Sequence, residues 1–403
     1  MVKNNSISQN YRPTVIDLFC GAGGLSLGFE QAGFDIVSAV EIDPIHAAVH
    51  SYNFPMCNVI CENISQLTGE DLCFKRDIDV LIGGPPCQGF SLIGKRDMND
   101  PRNDLLYQFM RLVKEVNPKY FIMENVSGLT IGSAKIFLEN IIADIELYGY
   151  TVIRPYKVLN AKDYGVPQSR QRLFLIGYRE DQVRPQYPIT QDDKPTVSDA
   201  IFDLPNIDDF EELISSDKIF YCVKPSSSYA KRLHGSMEDM HDFSYKRNWK
   251  SDILTGCLRT QHTQTSIDRF KATAMGEVEP ISRFLKLNPS GLCNTLRAGT
   301  DKSRGAYTSP RPIHPRDNRC ISVREAQRLH SFPDWFRMHS TKWHGFREVG
   351  NSVPPLLARE VASQIITALG VTPFKPNEEI ELGDERPLYL NLTSARVFLG
   401  GNT

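Results

Sequence analysis

The sequence predicts an α/β fold, with a mostly parallel sheet, helices on both of its faces and a smaller, loop-rich second domain. Three observations lead there. Strand and helix signals alternate through the first half of the 403 residues, the pattern of a parallel sheet covered on both sides. A glycine-rich turn links the first strand to the first helix in "DLFCGAGGLSLGFEQAGF" (17–34). After about residue 185 the alternation stops, and proline, glycine and charged loops take over. A chain of this length exceeds what one core usually organises, so two domains are expected.

The elements follow in order. "TVIDLFC" (14–20) is a buried strand, and glycines open the helix after it. "FDIVSAVE" (34–41) is a second strand, and Asp43-Pro44 reads as an N-cap with proline at the first helical position. "IDVLIGG" (78–84) is a third strand, "LLYQFMRLVKEV" (105–116) has helical spacing, and "KYFIMENV" (119–126) is a fourth strand. An amphipathic helix over 135–149 and a strand over 172–179 close the series. The next stretch, 191–218, is acidic and broken by proline. From 224 to 319 the sign reverses, with 17 Lys and Arg against 9 Asp and Glu. A basic, loop-rich region in a near-neutral chain suggests a nucleic-acid face. A last helix spans 353–370, with Pro near its start and Gly370 at its end. The polar tail after 371 carries no readable signal. The expected division is 1–185, then 186–344, then a segment 345–403 that returns to the first domain.

Bulk properties narrow the classes. The net charge of −2 excludes a polycation. Nine cysteines, an odd number in a long chain, read as free thiols of a reducing compartment, so the protein is expected in the cytoplasm. The N-terminus has no apolar signal region, and no run approaches the ~18 apolar residues of a membrane span.

Two segments raise chemical questions. In "GGPPCQGFS" (83–91) two prolines and two glycines crowd Cys87 at the end of a strand. Cys87 is either a small buried filler or a nucleophile held by its turn. The glycine turn at 21–24 lets a backbone approach a ligand. Glu41 follows Gly21 by 20 residues, at the end of the second strand, where a carboxylate accepts both hydroxyls of a ribose. A neutral-to-cationic nucleoside suits this Rossmann-like site better than a pyrophosphate. His46, His50, Cys57 and Cys61 could form a zinc set, but their spacing matches no common zinc module and the histidines fall on the helix beside the nucleoside site. No metal is expected.

Three further stretches complete the pattern. "MENV" (123–126) ends a strand with Glu124, "PQSRQR" (167–172) places Arg170 and Arg172 at alternate positions that share a face, and "REVGNSVPP" (347–355) is a polar turn before the last helix. With DLFCGAGG, the Glu41-Ile42-Asp43 turn, GGPPCQGFS and "REAQRLHSFPDWF" (324–336), these seven motifs in order make the sequence resemble the cytosine-5 DNA methyltransferases over residues 17 to about 365. The resemblance implies methyl transfer from S-adenosylmethionine to C5 of a flipped-out cytosine in duplex DNA, with Cys87 as the thiolate that adds to C6. It implies that Glu124 donates a proton at N3, that Arg170 holds the cytosine O2, and that Arg172 supports the site. It assigns cofactor contacts to Phe19, Gly21, Gly23, Gly24, Glu41, Ile42, Pro86, Leu105 and Asn351. It further implies a target-recognition role for the second domain, a restriction–modification setting with a separately acting endonuclease, and a monomer. One position departs from the family, which usually has an acidic residue at the adenine amino group where this chain has Asn63. The tRNA methyltransferases of this fold have a reduced recognition region, and the ~150 residues between Arg172 and Arg324 favour DNA. Within that span, 287–315 is the expected base-reading segment, with Thr295, Arg297 and Arg304 as donors.

Overall fold

The computed structural model of the chain describes residues 11–86, 104–299 and 311–400. The first half runs β1 (Thr14–Leu18), α1 (Gly24–Ala32), β2 (Asp35–Val40), α2 (Pro44–Asn53), β3 (Asn58–Ile60), α3 (Gly69–Cys73), β4 (Val80–Gly83), α4 (Asp104–Val116), β5 (Tyr120–Val126), α5 (Ser133–Glu146), β6 (Tyr150–Val152), β7 (Lys157–Asn160) and β8 (Gln171–Arg179). These strands form one eight-stranded sheet in the order β3-β2-β1-β4-β5-β8-β6, with β7 also paired to β8. The first five are parallel. β8 runs antiparallel to β5, and β6 and β7 run antiparallel to β8. The reversal has a simple cause. Parallel neighbours need a long crossover, and after α5 the chain forms two short strands and turns directly back as β8.

The caps are those that the sequence signals. Asp43 accepts from the Ile45 N–H with Pro44 at the first helical position of α2. Both faces of the sheet are covered. One core joins Val15, Ile82 and Ile122 to Leu27 and Phe29 of α1. The other packs Ile16, Leu81 and Phe121 against Leu106, Phe109, Leu138 and Ile142 of α4 and α5.

The second half carries α6 (Val197–Ile201), β9 (Lys218–Phe220), α7 (Ser228–His234), β10 (Lys246–Asn248), β11 (Ile253–Thr255), α8 (Gln264–Ala272), α9 (Val323–Leu329), α10 (Lys342–Asn351), α11 (Pro355–Leu369), β12 (Glu379–Glu381) and α12 (Leu392–Phe398). Its strands are short, and β9 pairs with β11 while β10 pairs with β12. α11 lies on α1 with almost no spacer: a Cβ on Gly28 would sit 2.3 Å from the Ala358 Cβ. Val323, Leu329, Phe332 and Phe336 share the core of α1 and α11. The tail is folded as well, with Leu388 fully buried and Ala395 of α12 packed on Ile45 and Ala48 of α2.

Candidate active site

Parallel sheets of this kind bind ligands beyond the carboxyl ends of their strands. A cavity of about 600 Å³ opens there, past the ends of β1, β2, β4 and β5. Phe19, Gly21, Gly24, Glu41, Ile42, Pro86, Leu105 and Asn351 line it, and so do Glu124 and Arg172. The turn after β1 and the turn after β2 are tied by Glu41, whose two carboxylate oxygens accept from the Gly21 N–H and the Asp43 N–H. Glu41 therefore faces the glycine turn with a fixed carboxylate.

Asp17 joins Glu41 on this wall, a residue that sequence reasoning missed. It lies within the apolar run of β1, and that misplaced charge was the available signal. It is buried and accepts from the Ser26 hydroxyl. Burial, opposed by the Ser26 hydrogen bonds and aided by the charge of nearby Glu41, raises its pKa to about 7. Burial raises Glu41 too, with the backbone N–H groups of Asp43 and Gly21 opposing. Neither acid has a neighbouring cation among its causes of shift. Two desolvated carboxyls with no counter-charge among the described residues suit a cationic ligand, since a positive charge brought between them favours their ionised forms.

The other end of the cavity is built around Glu124. It is 8% exposed, at the end of β5, and its Oε1 lies 2.8 Å from the Arg172 Nε. Burial raises the Glu124 pKa, and the charges of Arg172 and Arg170 oppose that rise. Its Oε2 lies 2.9 Å from where a Cβ on Gly84 would stand, so only glycine lets the turn after β4 pass this close to the carboxyl. Asn125 holds the same turn by donating to the Pro85 carbonyl at 3.0 Å. The turn leads into Cys87, which lies outside the described residues, as does Arg304.

Two expected site residues do not reach the cavity. Arg170 is 1% exposed, and its guanidinium donates to the backbone carbonyls of Leu296, Gly350 and Ser352, each at 2.8 Å. The alternate spacing keeps it near Arg172, but Arg170 lies in the interior and Arg172 stands on the cavity wall. The pairing with Glu124 belongs to Arg172. Gly23 turns the other way, at φ 104°, where a Cβ would strike the Phe54 ring.

Arg170 is part of a larger tie. Gln168 accepts from the Leu296 N–H and bonds through its Nε2 to His330 Nδ1. His330 therefore carries its proton on Nε2 and donates it to the Ser352 carbonyl at 3.0 Å. Thr295 donates to the Ser169 carbonyl. Together these bonds press 293–298 against the cavity wall, so Thr295 and Arg297 also line the cavity. Of the histidines and cysteines weighed as a zinc set, His50 bonds Ser26 and stacks on Phe54. Among the described residues no three His, Cys, Asp or Glu converge as a metal set. No described helix is long and apolar enough to cross a membrane.

The family model for C-5 cytosine-specific DNA methylases matches residues 13–367. The chain belongs to this family. The methylase is 54% identical to the Type II methyltransferase M.XorII of Xanthomonas oryzae pv. oryzae, over 96% of this chain and 93% of that protein. It is 35% identical to the Type II methyltransferase M.DdeI of Desulfomicrobium norvegicum, over 87% and 88% of the two chains. Among solved structures it is similar to an Escherichia coli prophage protein described as a DNA modification methyltransferase. That match has a TM-score of 0.75 and 34% identity, and covers 89% of the methylase and 99% of its counterpart.

Proposed function

We propose that the methylase transfers a methyl group from S-adenosylmethionine to C5 of a flipped-out cytosine in a specific duplex DNA sequence, through a covalent bond from Cys87 to C6. The observation that carries this is the single cavity with two unlike ends. One end holds the desolvated acids Asp17 and Glu41. The other holds Glu124, Arg172 and the turn leading to Cys87.

Asp17, Glu41, Phe19 and Asn351 would hold the cofactor, which when bound supplies an electrophilic methyl group on a cationic sulfur. Cytosine C5 is a poor nucleophile. Addition of the Cys87 thiolate at C6 makes C5 enamine-like. The charge that develops on the ring is relieved by a proton from Glu124 at N3, and burial keeps Glu124 protonated to higher pH than a free glutamate. Arg172 takes on the role first expected of Arg170, holding the cytosine O2, and keeps its own of supporting the site through Glu124. Loss of the C5 proton to a base then releases the thiol. A stacked cytosine cannot meet Cys87, so the base leaves the duplex at a cost of a few kcal/mol or so.

Residues 186–320 would choose the sequence, with Thr295 and Arg297 at the junction of recognition and chemistry. The names of the relatives support a restriction–modification role; a separately acting endonuclease, a cytoplasmic location and a monomeric state complete the proposal. The test is methyl transfer to duplex DNA and to tRNA by the full chain and by Cys87→Ala, followed by bisulfite sequencing of the DNA. Methylation of duplex DNA at one sequence by the wild type alone is expected. Transfer to tRNA only, or turnover by Cys87→Ala, would overturn the reading.

A further inference from the structure

β2 and β3 are parallel neighbours with Val40 beside Ile60, and the Glu41 N–H donates to the Ile60 carbonyl. The loops that leave these strands therefore run side by side, and both line the same end of the cavity. A carboxylate in the place of Glu41 takes the ribose of a nucleoside. The base must then lie beyond it, along the apolar face of Ile42, which is 65% exposed, and against Asn63 and Ile64.

The amide of Asn63 has a fixed orientation. Its Oδ1 accepts from the Ser65 N–H at 3.1 Å and from the Ser65 hydroxyl at 3.0 Å, capping the turn Ile64–Gln66. A backbone N–H can only donate, so the atom facing it is the oxygen and not the nitrogen. Two bonds use both lone pairs of that oxygen. The Nδ2, with two hydrogens, has no hydrogen-bond partner among the described residues. Aspartate at this position would cap the turn with one oxygen and leave the other as an acceptor. Asparagine caps it identically and leaves a donor. Adenine offers an acceptor at N1 and a donor at its 6-amino group on the same edge.

We infer that Asn63 reads the adenine as an acceptor, donating from Nδ2 to N1, and leaves the 6-amino group unread by this side chain. The inference rests on the cofactor reading above and changes what the pocket selects. Purine nucleosides that lack the 6-amino group but keep N1 as an acceptor should bind about as well, while those lacking N1 should bind more weakly.

Calorimetric binding tests this without turnover. S-adenosylhomocysteine, its analogue lacking the 6-amino group and its 1-deaza analogue are titrated into the full chain and into Asn63→Asp, which keeps the cap. In the wild type the 1-deaza analogue should bind about threefold to tenfold more weakly than the parent, the range of one hydrogen bond, and the deamino analogue within about twofold of it. In Asn63→Asp the preference should exchange, with the deamino analogue the weaker. A wild type that loses as much affinity without the amino group as without N1 would overturn the inference, and would direct attention to Glu62, which also lines the cavity. An Asn63→Asp chain with unchanged preferences would overturn it too. If S-adenosylhomocysteine itself fails to bind, the cofactor reading falls first.

Discussion

Burial sets the acid chemistry of single residues here. Asp17 titrates at about 7 when folded, against about 3.9 in an unfolded chain. Because the folded value is raised, its contribution to stability is fully present below about pH 4. It is lost as pH rises to and through about 7. Above that, the buried carboxylate waits for a cation. The ligand-free methylase should therefore lose melting temperature between pH 5 and pH 8. The rise in melting temperature given by S-adenosylhomocysteine, through its ammonium group, should grow over the same window. Asp17→Asn should flatten both trends, and thermal melting across the four integral pH values from 5 to 8 measures this. Glu124 works in the opposite sense, since the proposed chemistry uses its protonated form. Glu124→Gln keeps the shape and removes the acid, so turnover should fall by about 10²-fold or more with little change in cofactor affinity. A loss confined to cofactor binding would show that the carboxyl is not a proton donor. At this scale the sequence was partly legible. Glu41, Glu124 and the Pro85-Pro86 turn stood at readable strand ends. The different depths of Arg170 and Arg172 were not legible, because alternate positions share a face while depth along it depends on what packs above. Leu296, Gly350 and Ser352, distant in sequence, supply the carbonyls that draw Arg170 inward.

Among elements, periodicity and caps made α1, α2, α4, α5 and α11 and four of the five parallel strands legible, because each carries its own apolar face, while α10 takes in residues 347–351 of the stretch read as a turn. β3, β6 and β7 did not show, since strands of three or four residues with mixed polarity have too few alternations to read. The antiparallel β8 was readable as a strand but not in direction, which is set by the connection before it. α12 and the tail read as polar because they bury only a few residues, Leu388 and Ala395 among them. α1 and α11 are in close contact at Gly28. Gly28→Val forces these helices apart and should cost about 1–3 kcal/mol of stability. Since α11 follows directly on Asn351 and Ser352, it should also weaken cofactor binding. Chemical denaturation and calorimetry on the same protein check both, and an unchanged midpoint would show that the helices are free to slide.

Across the whole molecule, composition pointed to a basic face over 224–319, and the structure tempers it. Arg247 is buried against Glu30, Arg319 pairs with Glu325 and Asp317, and Arg259 meets Asp208. Much of the local excess thus holds the fold together, and in the proposed reading specificity falls to a few side chains such as Arg297, which stays exposed at the cavity. Loss of a base contact costs ~1–3 kcal/mol at one position of the site, while loss of a phosphate contact weakens all sequences alike. Arg297→Ala should therefore relax the preference at one base pair, as read by bisulfite sequencing on randomised duplexes. A uniform loss across sequences would reassign it to the DNA backbone. The central claim is the covalent bond between Cys87 and the target base, and mass spectrometry of a trapped complex tests it most directly. Duplex DNA with 5-fluorocytosine at the methylated position, incubated with the methylase and S-adenosylmethionine, should give one stable adduct. Its mass should be that of chain, DNA and one methyl group, and peptide mapping should place it on Cys87. Methylation of the ordinary duplex with no adduct on the fluorinated one, or an adduct on another residue, would contradict the account.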